Sequence, residues 1–304
     1  MGAQAERAWS AVSVTASDGV RLTVYEAGPA RPEQTVLFVH GYPDDHRVWD
    51  GVAERLVDRY RLVSYDVRGA GRSDHPTRRS AYRLGQLARD ILTVAESKSA
   101  EPIHLVGHDW GSIQSWAAVT TDEAPARFCS FTSISGPDLS YAASWMSHAT
   151  SRLRVAAARQ LLSSSYLAWF QIPVLPDLFW RSGLGTLMLG RPSTPSGRSD
   201  AVAGLSLYRA NRTVPLTRRP ARCSVPVLVL APRADTAVSR ELAMEAPVPW
   251  VSDLTVQAID GGHWTMVEHP ERVSEPLRSF LAAHGRNAQA TSVKRRKPRD
   301  RPAT

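Results

Sequence analysis

The most constraining feature of this chain is the pentapeptide Gly-His-Asp-Trp-Gly at residues 107–111, because of the segments on either side of it. The apolar run at 103–106 predicts a short buried strand, and the run from Ser112 to Val119 predicts a helix. A turn that joins a strand to a helix so abruptly needs glycines, since larger side chains beside its central residue would clash. The pattern therefore predicts a sharp turn that presents the side chain of Asp109 at the end of a strand.

Apolar runs elsewhere in the chain indicate that this strand belongs to a parallel sheet. Residues 10–27 predict a hairpin around Asp18-Gly19, which is the expected turn signal. The alternation of strands and helices predicts an α/β fold with a mostly parallel, doubly wound sheet. Further strands are expected at 35–39, 62–65, 128–135, 225–231 and 254–259, and helices at about 82–97, 112–120 and 271–284.

The alternation is interrupted between residues 138 and 222, where helix formers and bulky apolar residues dominate. We expect this segment to form a helical lid over the sheet edge where open α/β sheets bind their ligands. The predicted organisation is a core of residues 1–137 and 223–285, a lid of residues 138–222 and a basic tail of residues 286–304.

The tail contains a surplus of six positive charges, out of a formal net charge of +8 for the whole chain. It has no aromatic residue and contains two prolines, so we expect it to be disordered, and we expect no nucleic-acid partner.

Composition argues against several other classes of protein. No run of 18 or more apolar residues is present, so no membrane span is expected. The N-terminus lacks the basic start and apolar stretch of a signal peptide, which predicts a cytoplasmic location. Cys129 and Cys223 are too few for a disulfide framework or a metal site. We expect both to be buried thiols, and we expect neither a metal nor a cofactor.

Further residues give Asp109 a chemical role. A carboxylate in this turn can attack an electrophilic sp3 carbon, such as an epoxide or a carbon–halogen carbon, and form an alkyl ester. His263 lies in Gly-Gly-His-Trp at 261–264, after the last predicted strand, and is the candidate general base for hydrolysis of that ester. Asp235, in the loop after the strand at 225–231, is the candidate acid that orients the imidazole. Asp138 is the competing acid, or it is the N-cap of the first lid helix.

Hydrolysis of an ester also needs hydrogen-bond donors for its oxyanion. The backbone N–H of Trp110, directly after the candidate nucleophile, is one expected donor. The backbone N–H of Tyr42, in His-Gly-Tyr-Pro at 40–43 after the strand at 35–39, is the other.

Together these residues resemble the epoxide hydrolase branch of the α/β-hydrolases over about residues 10–284. Residues 40–43 match the family pattern His-Gly-x-Pro, and residues 66–73 match its Asp-x-Arg-Gly-x-Gly-x-Ser loop. Gly262-His263-Trp264 is similar to its last motif. The chain also resembles the hydrolase half of bacterial proteins that fuse such a domain to a short-chain dehydrogenase.

The resemblance implies that an epoxide is converted into a vicinal diol. The aromatic residues of the lid either indicate a lipophilic substrate or form the core of the lid: Trp169, Phe170, Phe179 and Trp180. The resemblance also identifies Tyr166, followed by a Phe-Gln element at 170–171, and Tyr208, in a Tyr-Arg pair, as lid acids that protonate the epoxide oxygen. The stretch after Gln171 follows the family pattern only loosely, which leaves the lid geometry and the substrate open. The expected pocket residues are Trp110, Trp169, Phe170, Phe179 and Trp264.

Alternatives to this interpretation stay open at the level of sequence. A haloalkane dehalogenase uses the same Asp–His pair, and such enzymes hold halide with the residue at the position of Trp110. Their close relatives, however, usually carry Asn at the position of Tyr42. A non-catalytic ligand-binding protein is opposed by the complete triad, and a lipase or esterase by the absence of serine from position 109. A homodimer also stays open.

Overall fold

The structure is a computed structural model that describes residues 9–148, 154–188, 197–214 and 219–285. Within these residues, eight strands form one sheet in the order β1-β2-β4-β3-β5-β6-β7-β8. Only the β1–β2 and β2–β4 pairs are antiparallel, which confirms the predicted hairpin and the mostly parallel sheet. The strands are β1 (Ser10–Thr15), β2 (Arg21–Ala27), β3 (Thr35–Val39), β4 (Arg61–Tyr65), β5 (Ile103–His108), β6 (Phe128–Ile134), β7 (Val227–Pro232) and β8 (Leu254–Ile259).

The described helices fall into two groups, one belonging to the sheet's own connections and one inserted between β6 and β7. The connecting helices are α1 (Asp50–Ala53), α2 (Leu84–Lys98), α3 (Trp110–Val119), α4 (Ala124–Arg127), α11 (Arg240–Glu245), α12 (Thr265–Glu268) and α13 (Pro270–Ala283). The inserted helices are α5 (Leu139–Ser147), α6 (Arg154–Ser163), α7 (Ser165–Phe170), α8 (Leu175–Ser182), α9 (Leu184–Met188) and α10 (Arg198–Asn211).

The central strands are buried on both faces, as the continuous apolar runs predict. Strands β3, β5 and β7 have no exposed residue. Because successive side chains of a strand point to opposite faces, alternate residues join different clusters. Leu37 and Leu105 pack in the cluster that includes α2 and α3, whereas Phe38 and Val106 pack in the cluster that includes α13. The sheet therefore lies between two helical layers.

The loop that follows β4 is held by a buried ion-pair network. Nε and Nη2 of Arg68 donate to the carboxylate of Asp90 at 2.6 and 2.7 Å, and Nη1 donates to Asp18 at 2.7 Å. The Arg68 side chain is completely buried. The backbone N–H of Gly71 donates to Asp200 of α10 at 2.8 Å. The loop after β4 therefore stabilises the core and also ties α10 to it.

The remaining predictions concern the two cysteines, a membrane span, the basic tail and the boundaries of the lid. Cys129 and Cys223 are free and buried, which confirms the prediction of buried thiols. No helix within the described ranges is long and apolar enough to cross a bilayer. The basic tail of residues 286–304 lies outside the described residues. The boundaries of the predicted lid, 138 and 222, stay predictions.

Candidate active site

The turn between β5 and α3 is as sharp as the pentapeptide predicts. Asp109 has φ 51° and ψ −123°, a left-handed conformation that is strained for a residue with a side chain. A Cβ on Gly107 would lie 2.7 Å from the Gly111 carbonyl oxygen, and one on Gly111 would lie 2.0 Å from the Val39 oxygen. Helix α3 begins at Trp110, two residues earlier than expected, because a single residue makes the turn.

The carboxylate of Asp109 has one occupied oxygen and one oxygen that faces the histidine. Oδ1 accepts a hydrogen bond from the backbone N–H of Tyr42 at 2.8 Å. Oδ2 lies 3.7 Å from Nε2 of His263. The loop that follows β3 lies so close to Asp109 that residue 41 must be glycine, since a Cβ there would lie 2.5 Å from the Asp109 side chain. His40 holds this loop, because its Nε2 accepts the backbone N–H of Val67 at 2.9 Å.

The imidazole of His263 bridges two carboxylates. Its Nδ1 lies 3.1 Å from each carboxylate oxygen of Asp235, whose side chain is 1% exposed. Burial acts to lower the pKa of His263, but the negative charges of Asp235 and Asp109 prevail and raise the pKa to about 10. Burial acts to raise the pKa of Asp235, but the facing imidazole outweighs it and the pKa is lowered. Asp109, His263 and Asp235, as the sequence predicts, therefore form one chain of contacts.

Asp138 is occupied elsewhere. Its Oδ1 accepts the backbone N–H groups of Ser140 at 2.7 Å and Tyr141 at 3.1 Å, which makes it the N-cap of α5. The N-cap alternative considered for this residue is therefore confirmed, and Asp235 is the acid that contacts His263.

A cavity of about 670 Å³ opens above Asp109 and His263. Six of its lining residues are aromatic residues of α7, α8 and α10. The predicted pocket residues Trp169, Phe170, Phe179 and Trp264 line it, together with Tyr42, Tyr166, Trp180 and Tyr208.

Trp110 is the exception among the predicted pocket residues. It is 4% exposed, and it is absent from the walls of this cavity. Its ring packs edge-on against Tyr208 with centroids 5.0 Å apart. The ring therefore contacts Tyr208, which does line the cavity, and the expectation that Trp110 belongs to the pocket stays a prediction. The backbone N–H of Trp110, in the first turn of α3, is among the donors that a helix leaves without an intrahelical acceptor.

The two candidate acids come from different inserted helices and meet at the cavity. The rings of Tyr166 (α7) and Tyr208 (α10) are 6.1 Å apart in an edge-to-face arrangement. Burial, and to a lesser extent the charge of Asp109, raise the pKa of Tyr166 above its usual range. Burial, with Tyr166 and Asp109, also raises the pKa of Tyr208. Both phenols therefore stay protonated at neutral pH and can donate.

Two positioning residues were not found from the sequence. Nε2 of His108, which directly precedes Asp109, contacts the backbone oxygen of His263 at 2.9 Å. Gln160 of α6 donates to the Ala237 oxygen at 2.9 Å and accepts the Ser239 N–H at 2.7 Å, so it fastens the loop that carries Asp235. Both contacts join residues more than 75 positions apart, and no local pattern signals them.

Among the described residues, Asp45, His46 and Asp66 are a group whose ligating atoms lie within 4.8 Å of one another. These atoms already have partners. Asp66 accepts from Tyr25 Oη and contacts His46 Nδ1, both at 2.8 Å, and Asp45 pairs with Arg47. We therefore assign no metal to this group.

Comparison with known proteins places the chain in a family. Residues 34–270 match the family model described as alpha/beta hydrolase fold. The chain belongs to the α/β-hydrolase family, in agreement with its mostly parallel sheet and the sharp turn at Asp109.

Individual relatives and a solved structure show which members of this family the chain resembles. "Probable oxidoreductase EphD" of Mycobacterium tuberculosis is 33% identical over 290 residues, which cover 88% of this chain and 48% of that protein. "Epoxide hydrolase 4" of Mus musculus is 26% identical over 282 residues, which cover 84% of this chain and 75% of that protein. A structure described among novel epoxide hydrolases from metagenomes of hot environments has a TM-score of 0.75 at 25% identity, and covers 90% of this chain and 98% of its own.

These relatives and neighbours confirm the predicted resemblance to the epoxide hydrolases. The chain spans about half the length of EphD. The likeness to the hydrolase half of a fusion with a dehydrogenase stays a prediction.

Proposed function

We propose that the protein is an epoxide hydrolase that converts a lipophilic epoxide into a vicinal diol through an ester on Asp109. The observation that carries the proposal is the convergence of four groups on one cavity. Asp109 and His263 lie at its base, and Tyr166 and Tyr208 form part of its wall. A nucleophile, a base and two neutral phenol donors are the groups that opening an epoxide and hydrolysing the resulting ester require.

In the first step, Oδ2 of Asp109 attacks an epoxide carbon. Oδ1 is already held by the Tyr42 N–H at 2.8 Å, so Oδ1 becomes the carbonyl oxygen of the ester. The carbon–oxygen bond of the ring breaks as the new bond forms. The leaving oxygen is stabilised by Tyr166 and Tyr208, and it takes a proton from one of these phenols. The strained backbone of Asp109 fixes the carboxylate for this attack.

In the second step, His263 activates water against the ester carbonyl. Nε2 takes a proton from the water as its oxygen bonds to Cγ of Asp109. The charge on Oδ1 is stabilised by the Tyr42 N–H and, we infer, by the N–H of Trp110. The tetrahedral intermediate collapses, and the ester oxygen leaves with the diol and takes the proton from Nε2. The remaining proton of the water leaves the new carboxyl group of Asp109 to solvent, and the tyrosine regains its proton from solvent.

The charge change at Asp109 prepares His263 for this second role. In the free protein two carboxylates raise the pKa of His263 to about 10, so the imidazole is protonated at neutral pH. Formation of the ester neutralises Asp109 and removes one of those two charges. The pKa of His263 then falls, which favours the neutral form that can act as a base.

The inserted helices act as a lid in this proposal. They supply both phenols and most of the aromatic wall, including Trp169, Phe179 and Trp180. An apolar wall of this kind favours a lipophilic substrate and excludes water from the ester until His263 activates one molecule. A cytoplasmic location and a homodimer stay predictions.

Parallel assays with styrene oxide and 1-bromobutane test the proposal, with Asp109→Asn and Asp109→Ala as inactive controls. We expect diol formation from styrene oxide and its loss in both variants. Bromide release without diol formation would favour the haloalkane dehalogenase alternative.

A further inference from the structure

Exposed aliphatic side chains are concentrated on the inserted helices. Of thirteen exposed large aliphatic residues in the described parts of the chain, ten lie between Val155 and Leu187. Leu162 and Leu187 leave 74% and 77% of their surface exposed. Soluble monomers rarely expose so many neighbouring apolar side chains unless the surface binds something. We call these ten the outer apolar surface: Val155, Leu161, Leu162, Leu167, Ile172, Val174, Leu175, Leu178, Leu184 and Leu187.

Eight of these residues belong to four helices that surround the same cavity, and the other two, Ile172 and Val174, lie in the connection between α7 and α8. Ser163 of α6, Trp169 of α7, Phe179 of α8 and Gly185 of α9 all line it. Helix α8 shows the division most clearly, since Phe179 lines the cavity while its neighbour Leu178 is 54% exposed. Because the four helices border one cavity, their outward side chains lie around one region of the protein surface.

The charges on these helices are of one sign. Arg154, Arg159 and Arg181 are exposed. The sequence from 154 to 188 contains a single acidic residue, Asp177, and its carboxylate pairs with Arg209 of α10 at 2.6 Å. The outer apolar surface is therefore accompanied by exposed arginines and by no exposed acid in the same segment.

We propose that the outer apolar surface docks on an anionic lipid bilayer. Exposed leucines would enter the boundary between headgroups and acyl chains, and the arginines would contact the anionic headgroups. A second copy of this face is disfavoured, because a twofold contact brings like charges together without a carboxylate to pair them. The ten residues are all aliphatic, whereas aromatic residues are prominent in the binding energy of protein–protein interfaces.

Docking in this orientation would help the substrate to reach the cavity, an inference that rests on the proposed function. The cavity lies under the helices that would contact the bilayer. A lipophilic epoxide dissolved among the acyl chains would therefore reach Asp109 from the lipid without first crossing bulk water.

Vesicle co-sedimentation of the full chain tests the docking surface. The probes are vesicles of phosphatidylcholine alone and vesicles that also contain phosphatidylglycerol. The test variant is Leu162→Ser/Leu178→Ser/Leu187→Ser, and the matched control is Val248→Ser, an exposed valine of the core region. Substitutions at such exposed positions cost little folding stability, which thermal melting would verify.

We expect the wild type and Val248→Ser to bind the anionic vesicles. The triple variant should bind them more weakly, by on the order of tenfold for each leucine removed. Arg159→Glu should weaken binding to the anionic vesicles by roughly fivefold or more, and it should have little effect with phosphatidylcholine alone. Turnover of dissolved styrene oxide should be equal in the triple variant and the wild type.

Two outcomes would overturn the docking proposal. One is that the wild type does not bind anionic vesicles, or that the triple variant binds them equally well. The other is a dimer in sedimentation velocity that the triple variant dissociates, since the surface would then bind a second copy. Vesicle binding that depends on the leucines, in a protein without epoxide turnover, would support docking and contradict the proposed function.

Discussion

Replacement of Asp235 by asparagine should lower the pKa of His263. Nδ1 of His263 lies 3.1 Å from both oxygens of this carboxylate, which is almost completely buried. Opposite charges about 4 Å apart interact by about 4 kcal/mol at an effective dielectric constant of about 20. That energy corresponds to roughly three pKa units. The pKa of His263, about 10 in the wild type, should therefore fall to roughly 7 in Asp235→Asn.

The same substitution should separate the two chemical steps. Ester formation uses the carboxylate of Asp109 and the two tyrosines, so its rate should change little. Ester hydrolysis needs Nε2 of His263 free to accept a proton and needs a carboxylate to stabilise the imidazolium that results. By analogy with other triads, loss of that carboxylate should slow hydrolysis by roughly 10³–10⁴-fold. The ester should therefore accumulate.

Histidine NMR titration measures the pKa, with His263→Gln to assign the resonance, and single-turnover quench with intact-mass detection measures the two rates. Asp260→Asn is the matched control, since this nearby carboxylate is largely exposed and pairs with Arg233 at 3.2 Å. It should leave both quantities unchanged. An unaltered pKa of His263 in Asp235→Asn, or equal slowing of both steps, would refute the reasoning.

Three further predictions follow from the same contacts. Tyr166→Phe and Tyr208→Phe should each slow ester formation by about 10²-fold, measured as the single-turnover rate, whereas equal rates would exclude them as acids. Gln160→Leu should lower the free energy of unfolding in urea by about 1–3 kcal/mol and slow ester hydrolysis, because the backbone of loop 235–239 loses its partner. Arg68→Met should cost about 3–5 kcal/mol in the same urea assay, because it leaves a carboxylate buried without its charge partner; a cost below about 1 kcal/mol would contradict the network.

The geometry of the triad could be predicted from the sequence because each member follows a strand of one parallel sheet. Asp109 follows β5, Asp235 follows β7 and His263 follows β8. Parallel strands end at the same edge of a sheet, so residues that follow them meet even when they are far apart in sequence. The glycines around Asp109 identify the turn for a steric reason that holds in any surroundings.

The cavity walls could be predicted less completely. The aromatic residues of the inserted helices line the cavity, as the composition of the segment suggests, whereas Trp110 packs against the wall residue Tyr208. His108 and Gln160 contact backbone atoms of distant loops, and hydrogen bonds to backbone atoms place no demand on the sequence of the partner. Contacts of this kind can therefore be identified only from the folded structure.

The most direct measurement of the central claim is the mass of the intermediate. In His263→Gln, the base for hydrolysis is removed while Asp109, Tyr166 and Tyr208 are retained. Incubation with styrene oxide should raise the intact mass of this variant by one substrate molecule, and peptide mapping should locate the added mass at Asp109. Diol production by the wild type, with no adduct on Asp109 in the variant, would contradict the account.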